Sequence, residues 1–436
     1  MKKVLLIMVL LCAVVLAVLG YERLFVQKTF GGAAIFGFVV IGAFMAFALL
    51  TLLLYDTRHR STLGGIWMAG LTTVTFYLIA DAVVGWFLIK PLSPALVPDE
   101  HLHHRLVPDS YSRLQQPEFS YTQRVNKLGM RGREVAIEKP DGVVRILALG
   151  DSFTMGKGVE DHQTFSVVLE GLLNESAADS CKGKVFEVLN GGVDSYAPVL
   201  SNIALRRDFA NLSSDLILHN LDVSDLVQEA AYRKAAVRDS DGNIVAVPNA
   251  GRSASTTDRL HDWINQHLFF TRALLYYTSK AMGADEINVR TVATQVNREL
   301  VAHTLANDTT PRDAQWADIF ESVGAIRDFA ESKGSKYALI VYPWGHEVSD
   351  GEWMPGRYVY LNKGDVAGDR GLNVIRRLSA ENGITLGEMH PVFRAYDGGK
   401  KLYFDQDNHW TVEGQRVMAQ GLADFVRANY WTAWCQ

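Results

Sequence analysis

The sequence predicts an α/β domain built on a parallel sheet and carried behind an apolar N-terminal region. Three observations lead there. Beyond residue 126, short apolar runs alternate with stretches of helical spacing, as in chains of βαβ units. One of those runs, residues 143–149, is continuous rather than alternating and closes on Gly150, the pattern of a strand buried on both faces. Finally, apolar residues make up 48% of the 436-residue chain but crowd into blocks within the first ninety positions.

Those blocks place helices near residues 4–20, 30–55 and 65–89, in a transmembrane region covering residues 1–92. A helical crossing needs about 20 apolar residues, which the second and third blocks supply. The first is shorter and has the length of a signal-peptide core. No small-x-small site stands near Gly20, and Cys12 after Leu11 is wrong for a lipoprotein site, so an uncleaved helix is expected. Lys2, Lys3, Arg58 and Arg60 outweigh Arg23 and Lys28, which puts the N-terminus in the cytoplasm. After three crossings, everything beyond Lys90 lies on the far side. Asp81 is costly in lipid and is expected to face neighbouring helices or a membrane-protein partner. The net charge of −5 gives no reason to expect a nucleic-acid partner.

Residues 93–125, punctuated by Pro94, Pro98 and Pro108, read as a linker, with His101, His103 and His104 solvated in it. There is no CxxC or HExxH pattern, so no metal is expected. Cys181 and Cys435 are the two cysteines outside the apolar blocks. They could pair in an oxidising compartment, although nothing in the sequence brings them together.

The domain proper is expected over residues 126–436. After the strand at 143–149 come a helix at 164–173 and a strand at 185–189 ending in Asn190-Gly191-Gly192. A helix at 200–209 and a strand from Leu216 to about His219-Asn220 follow. Residues 226–330 read as a mostly helical insertion that shapes a substrate cleft. A strand at 337–342, a short one at 384–386 and a closing helix at 413–429 complete the pattern.

Reaction sites of parallel sheets lie outside the carboxyl ends of the strands, where Gly150-Asp151-Ser152 falls. Asp151 or Ser152 in such a turn is equally suited to capping a helix. A nucleophilic serine needs a base, an orienting acid and oxyanion donors. His409 is the candidate base, in a loop before the closing helix, with Asp407 to brace its imidazole and Asp405 as a competitor. Glycines at 191 and 192 let backbone N–H groups approach a ligand. The third strand brings His219, Asn220 and Asp222 to the same edge.

Gly150-Asp151-Ser152 after the first strand, glycine after the second, polar residues after the third and Asp407-x-His409 near the C-terminus together resemble the SGNH (GDSL) hydrolases. The resemblance covers about residues 126–430. It implies a flavodoxin-like three-layer α/β/α domain with Ser152 as nucleophile, His409 as base and Asp407 as its partner. The Ser152 and Gly192 N–H groups would line the oxyanion hole, with Gly191 as an alternative to Gly192. Asn220 would be the third oxyanion donor, but it is offset by one place from the family's Asn-Asp pair, and a one-residue shift in a strand reverses the face of a side chain. Trp344, His346 and Trp410 are candidates for the cleft wall, and Trp410 for stacking on a sugar. The Asp-Asn-His-Trp run is also similar to that of alginate-type O-acetyltransferases.

The function so implied is a membrane-anchored esterase of the bacterial inner membrane with a periplasmic catalytic domain. It would remove O-acyl groups, in the first instance acetyl, from an envelope or exported polysaccharide without a cofactor. The alternatives are an O-acetyltransferase using the same three residues, which would take an acyl donor from a membrane partner, and a non-catalytic glycan-binding scaffold.

Overall fold

The computed structural model describes residues 60–83, 96–116, 118–181, 183–249 and 298–435. The chain divides into two compact units. One comprises residues 1–92 and 251–284, and the other residues 93–250 and 285–436. In the first unit the described element is helix α1, Arg60–Val83, which exposes Ile66, Val74, Phe76, Leu78 and Ile79. Among the described residues, no helix is long and apolar enough to cross a membrane. The apolar blocks near 4–20 and 30–55 lie outside the described residues, as does the end of the third.

The second unit begins with two hairpins, and this corrects the reading of residues 93–125 as a linker. Strands β1 (Leu96–Asp99) and β2 (His103–Leu106) pair antiparallel, as do β3 (Ser110–Gln115) and β4 (Ser120–Val125). The strands are short. The buried positions of β4 include Gln123 as well as Tyr121 and Val125, so its period of two is not a hydrophobic one.

The main sheet has five parallel strands: β5 (Val143–Leu149), β6 (Val185–Asn190), β7 (Leu216–Leu221), β10 (Lys336–Val341) and β11 (Leu386–Glu388). Their spatial order is β11-β10-β7-β5-β6. This is the doubly wound order 2-1-3-4-5, with the switch point between β5 and β7. The last strand lies two residues beyond the expected 384–386, because Ile384 still belongs to the turn closing the preceding helix.

Alternate side chains of the strands feed two cores, which makes the domain three-layered. Leu147, Leu149, Ile217, Leu339 and Val341 pack under α4 (Pro198–Arg207), α6 (Asp313–Ser332) and α8 (Arg370–Glu381). Val144, Ile146, Ala148, Leu216, Leu218, Ala338 and Ile340 pack under α3 (Phe165–Ser180), α9 (His390–Arg394) and α10 (Val412–Asn429). Thr411 caps α10 by accepting from Gly414 N–H at 3.2 Å. Within the expected insertion, helix α5 (Asp225–Lys234) and the β8–β9 hairpin (Val237–Arg238 with Ile244–Ala246) precede residues 250–297, which lie outside the described set. Cys181, at the end of α3, is disulfide-bonded to Cys435, beyond the short helix α11 (Trp431–Trp434).

Candidate active site

The carboxyl end of β5 turns at Gly150, whose φ of +149° favours glycine, into the single-turn helix α2, Ser152–Met155. A side chain at Gly150 would sit 2.4 Å from Thr154 Oγ1 and 3.0 Å from the Asn220 carbonyl. Both readings of this turn hold at once: Asp151 caps α2 by accepting from Phe153 N–H at 2.9 Å, and Ser152 presents its hydroxyl to His409.

Ser152 Oγ lies 2.7 Å from His409 Nε2, although 257 positions separate the residues. On its other side, the His409 imidazole meets Asp407 Oδ1 through Nδ1, and the same oxygen accepts from the His409 backbone N–H at 3.0 Å. Burial works to raise the Asp407 carboxyl, but the His409 charge and these hydrogen bonds outweigh it and hold the group at about 2. An ionised carboxylate is acceptor-only. Nδ1 therefore carries the imidazole proton and Nε2 is left to accept from Ser152, the arrangement a general base requires. Asp405, the competitor, is half-exposed, and its carboxylate stands 3.6 Å from Lys401.

The expected oxyanion donors are placed differently. Gly192 N–H donates to Asn190 Oδ1 at 3.1 Å. A Cβ at Gly192 would come within 2.3 Å of Met155 N and 2.7 Å of Thr154 C. The glycine is thus demanded by the close approach of its turn to α2, and its amide is occupied. Gly191 N–H is likewise occupied, by the Ala148 carbonyl at 2.8 Å. Asn220 does turn toward the catalytic side: it shares the strand face of Leu216 and Leu218, and its Nδ2 donates to Thr154 Oγ1 at 3.0 Å. Its amide supports the nucleophile's helix, while its Oδ1 is buried without a partner. The Ser152 N–H, in the first turn of α2, has no intrahelical acceptor by position.

The three cleft-wall candidates are buried. Trp410 is completely enclosed among Phe153, Phe165, Tyr342 and Phe393, so it offers no face to a sugar. Trp344 donates its indole N–H to Asp222 and packs on Trp353 and Tyr360. His346 Nε2 lies 2.8 Å from Thr304 Oγ1, and burial lowers its imidazole to about 4. These residues support the site from beneath. Of the third-strand residues, His219 is paired at 2.9 Å with the Tyr337 hydroxyl and faces the other core.

Sequence reasoning missed two groups beside the triad. Lys157, just after α2, pairs with Asp194 at 3.3 Å. Burial pushes the Asp194 carboxyl up, but the Lys157 and His409 charges outweigh it and hold it below its ordinary value. The second group comes from the β3–β4 turn and the segment after β4. Arg131 donates to the Met155, Gly156 and Val159 carbonyls, and Glu118, in the β3–β4 turn, accepts from the Gln406 and Asp407 amides. Arg131 and Glu118 carry no motif, because these bonds are made to backbone.

Residues 302–434 match the family model described as ALGX, the SGNH hydrolase-like domain of acetyltransferase AlgX. Over that stretch the chain is similar to an SGNH hydrolase-like domain. The matched stretch contains Asp407 and His409, while Ser152 lies upstream of it. No curated protein matches the chain. Among solved structures, the acetyl xylan esterase AlAXEase is similar at 14% identity and a TM-score of 0.34, over 65% of this chain and 100% of that one. The lipase/acylhydrolase from Enterococcus faecalis is similar at 11% and 0.31, over 65% and 96%. A catalytic mutant of Axe2, an acetylxylan esterase from Geobacillus stearothermophilus, is similar at 12% and 0.33, over 65% and 93%. These scores are too low to say anything of substrate. The family match supports an ester hydrolase or an acetyltransferase.

Proposed function

We propose that the chain is a membrane-anchored serine enzyme that cleaves O-acetyl esters of a cell-envelope or exported polysaccharide through an acyl-enzyme. The observation that carries this reading is the 2.7 Å contact between Ser152 Oγ and His409 Nε2, with Asp407 behind it. Ser152 Oγ attacks the ester carbonyl as His409 Nε2 takes its proton. The tetrahedral intermediate then collapses, the acyl C–O bond breaks, and the imidazolium returns the proton to the departing sugar oxygen. His409 next deprotonates a water, whose attack frees acetate and restores Ser152.

A second reading is favoured by the family match, whose printed name is that of an acetyltransferase. A sugar hydroxyl replaces water in the second step, and the product is an acetylated glycan. An extracytoplasmic location is supported by the apolar N-terminal blocks and by the disulfide between Cys181 and Cys435, since such bonds persist in oxidising compartments.

The test is acetyl transfer from 4-nitrophenyl acetate by the purified full chain, with and without oligosaccharide acceptors. Turnover that Ser152→Ala abolishes supports acyl-enzyme chemistry, and acceptor-dependent turnover with an acetylated sugar product selects the transferase. If Ser152 is acylated neither by the ester nor by a serine-directed phosphonate, both catalytic readings fall and a glycan-binding scaffold remains.

A further inference from the structure

We propose that Glu118 is a positioning residue for the acid–base loop, and that the β3–β4 hairpin clamps the two halves of the triad together. The inference rests on the acyl-enzyme reading above.

Asp407 and His409 stand on the loop between Tyr403 and Trp410, which are bridged antiparallel. That loop has a second outer support, the turn at residues 353–356. There Gly356 N–H donates to the Asp405 carbonyl at 2.8 Å and Trp353 Nε1 donates to the Gln406 carbonyl at 3.3 Å. On the side of the hairpin, one carboxylate oxygen, Glu118 Oε2, accepts from Gln406 N–H and from Asp407 N–H, both at 2.7 Å. Bonds of this kind to an ionised acceptor are short and roughly twice as strong as neutral ones. The neighbouring Phe119 ring packs on Phe404 with centroids 4.7 Å apart, at the start of the same loop.

The same hairpin is stitched to the nucleophile's side. Glu160 and Asp161, in the turn that follows α2, accept from Thr122 N–H and Arg124 N–H of β4, each at 3.0 Å. Arg131, buried and bridged to Val125, donates 2.6 Å bonds to the Gly156 and Val159 carbonyls and holds the Thr122 carbonyl at 3.2 Å. Ser152 and His409 thus meet through two loops that are both fastened to one hairpin, which lies outside the stretch matched by the family model. Because the Glu118 amide contacts include Asp407 itself, releasing them lets the carboxylate drift from the imidazole. A misplacement of about 1 Å at a reacting group can cost roughly 100-fold.

The experiment compares Glu118→Ala, Glu118→Asp and Glu118→Gln with wild type in the full chain. It uses 4-nitrophenyl acetate and records kcat and KM. Because a single oxygen makes both bonds, glutamine's amide oxygen serves in its place, so Glu118→Gln is expected within about threefold of wild-type kcat. Glu118→Ala is expected to lose at least tenfold in kcat with KM within about twofold. Glu118→Asp, whose arm is one methylene short, is expected to fall between and keeps the test decisive if the alanine variant does not fold. Wild-type kcat in Glu118→Asp, or an equal loss in Glu118→Asp and Glu118→Gln, overturns the proposal. A wild-type chain without Ser152-dependent turnover overturns the acyl-enzyme reading instead, so the two failures are distinguishable.

Discussion

Replacing Asp407 by asparagine separates two things that the carboxylate does, holding the imidazole and bearing a charge. In serine triads this change can force the wrong tautomer, because an amide N–H placed against Nδ1 turns that nitrogen into an acceptor, at a cost of about 10⁴ in kcat. Here one oxygen, Oδ1, takes both the imidazole Nδ1–H and the His409 backbone N–H. The backbone donor cannot change role, so it selects the amide oxygen of asparagine for that position and directs the amide nitrogen away from the ring. The tautomer is then kept and only the charge is lost. Asp407 sits at about 2 against an ordinary 3.8, a difference worth about 2 kcal/mol; the His409 charge leads the influences that lower it, with the hydrogen bonds and Lys157 behind, so losing the charge is worth roughly 30-fold in rate. Asp407→Asn is therefore expected to lower kcat for 4-nitrophenyl acetate by about 10- to 100-fold with KM little changed. Asp407→Ala, which also frees the ring, should lose more. A loss near 10⁴ in the asparagine variant, with an unaltered circular dichroism spectrum and melting temperature, would refute the reasoning by showing that the tautomer had flipped.

Two further outcomes follow from the packing. Gly192→Ala puts a methyl within 2.3 Å of the Met155 backbone and should destabilise the fold by at least about 2 kcal/mol, read as a lower urea midpoint with activity falling in parallel; an unchanged midpoint would mean that the turn and α2 separate easily. Burial holds the His219 imidazole at about 3, so it is neutral in the native state while the unfolded chain takes up a proton below about 6.5. Its contribution is fully present above that pH and is lost as pH falls toward 3, about 2 kcal/mol between pH 7 and 5. Over that interval the stability of wild type should fall relative to His219→Phe by this amount, and a constant difference between the two would show that the site is not desolvated.

Much of the sheet was legible in the sequence because β5, β6, β7 and β10 are buried on both faces and read as apolar runs. Ser152, Asp407 and His409 were legible because they stand at a strand end and before a helix as the residue types a serine-based site needs. The supports were not. One sequence does not distinguish why a glycine is needed: the freedom of Gly192 is the same whether an oxyanion or the α2 backbone approaches it. Trp410 stands beside the base in the chain yet turns into the core, because the loop residues 404–409 end on the Tyr403–Trp410 bridge, which carries both rings inward. The hairpins escaped because their buried faces include Gln123 and Ser112, which break hydrophobic alternation.

The charge state of the acids around Ser152 follows from the same architecture. Asp407 reaches the site from a loop, keeps a quarter of its side chain exposed and accepts from the imidazole Nδ1–H and the His409 backbone N–H, so its carboxyl is held low. Asp151, at the head of α2, is enclosed by the sheet ends. Burial pushes its carboxyl well above the ordinary range and the charge of Asp222 pushes it further, against the stabilising bonds from Phe153 N–H and the Tyr342 hydroxyl. Burial raises Asp222 and Asp225 as well. Environments that drive neighbouring acids apart assign them different roles. An Asp151 carboxyl raised in this way still accepts the hydrogen bond that caps α2, and the higher it is raised the less negative charge it places beside Ser152. Negative charge there would oppose an oxyanion formed at Ser152 in a region of low dielectric, where the repulsion is strong. On the acyl-enzyme reading, the depth at which Asp151 is buried is thus part of how Ser152 would react.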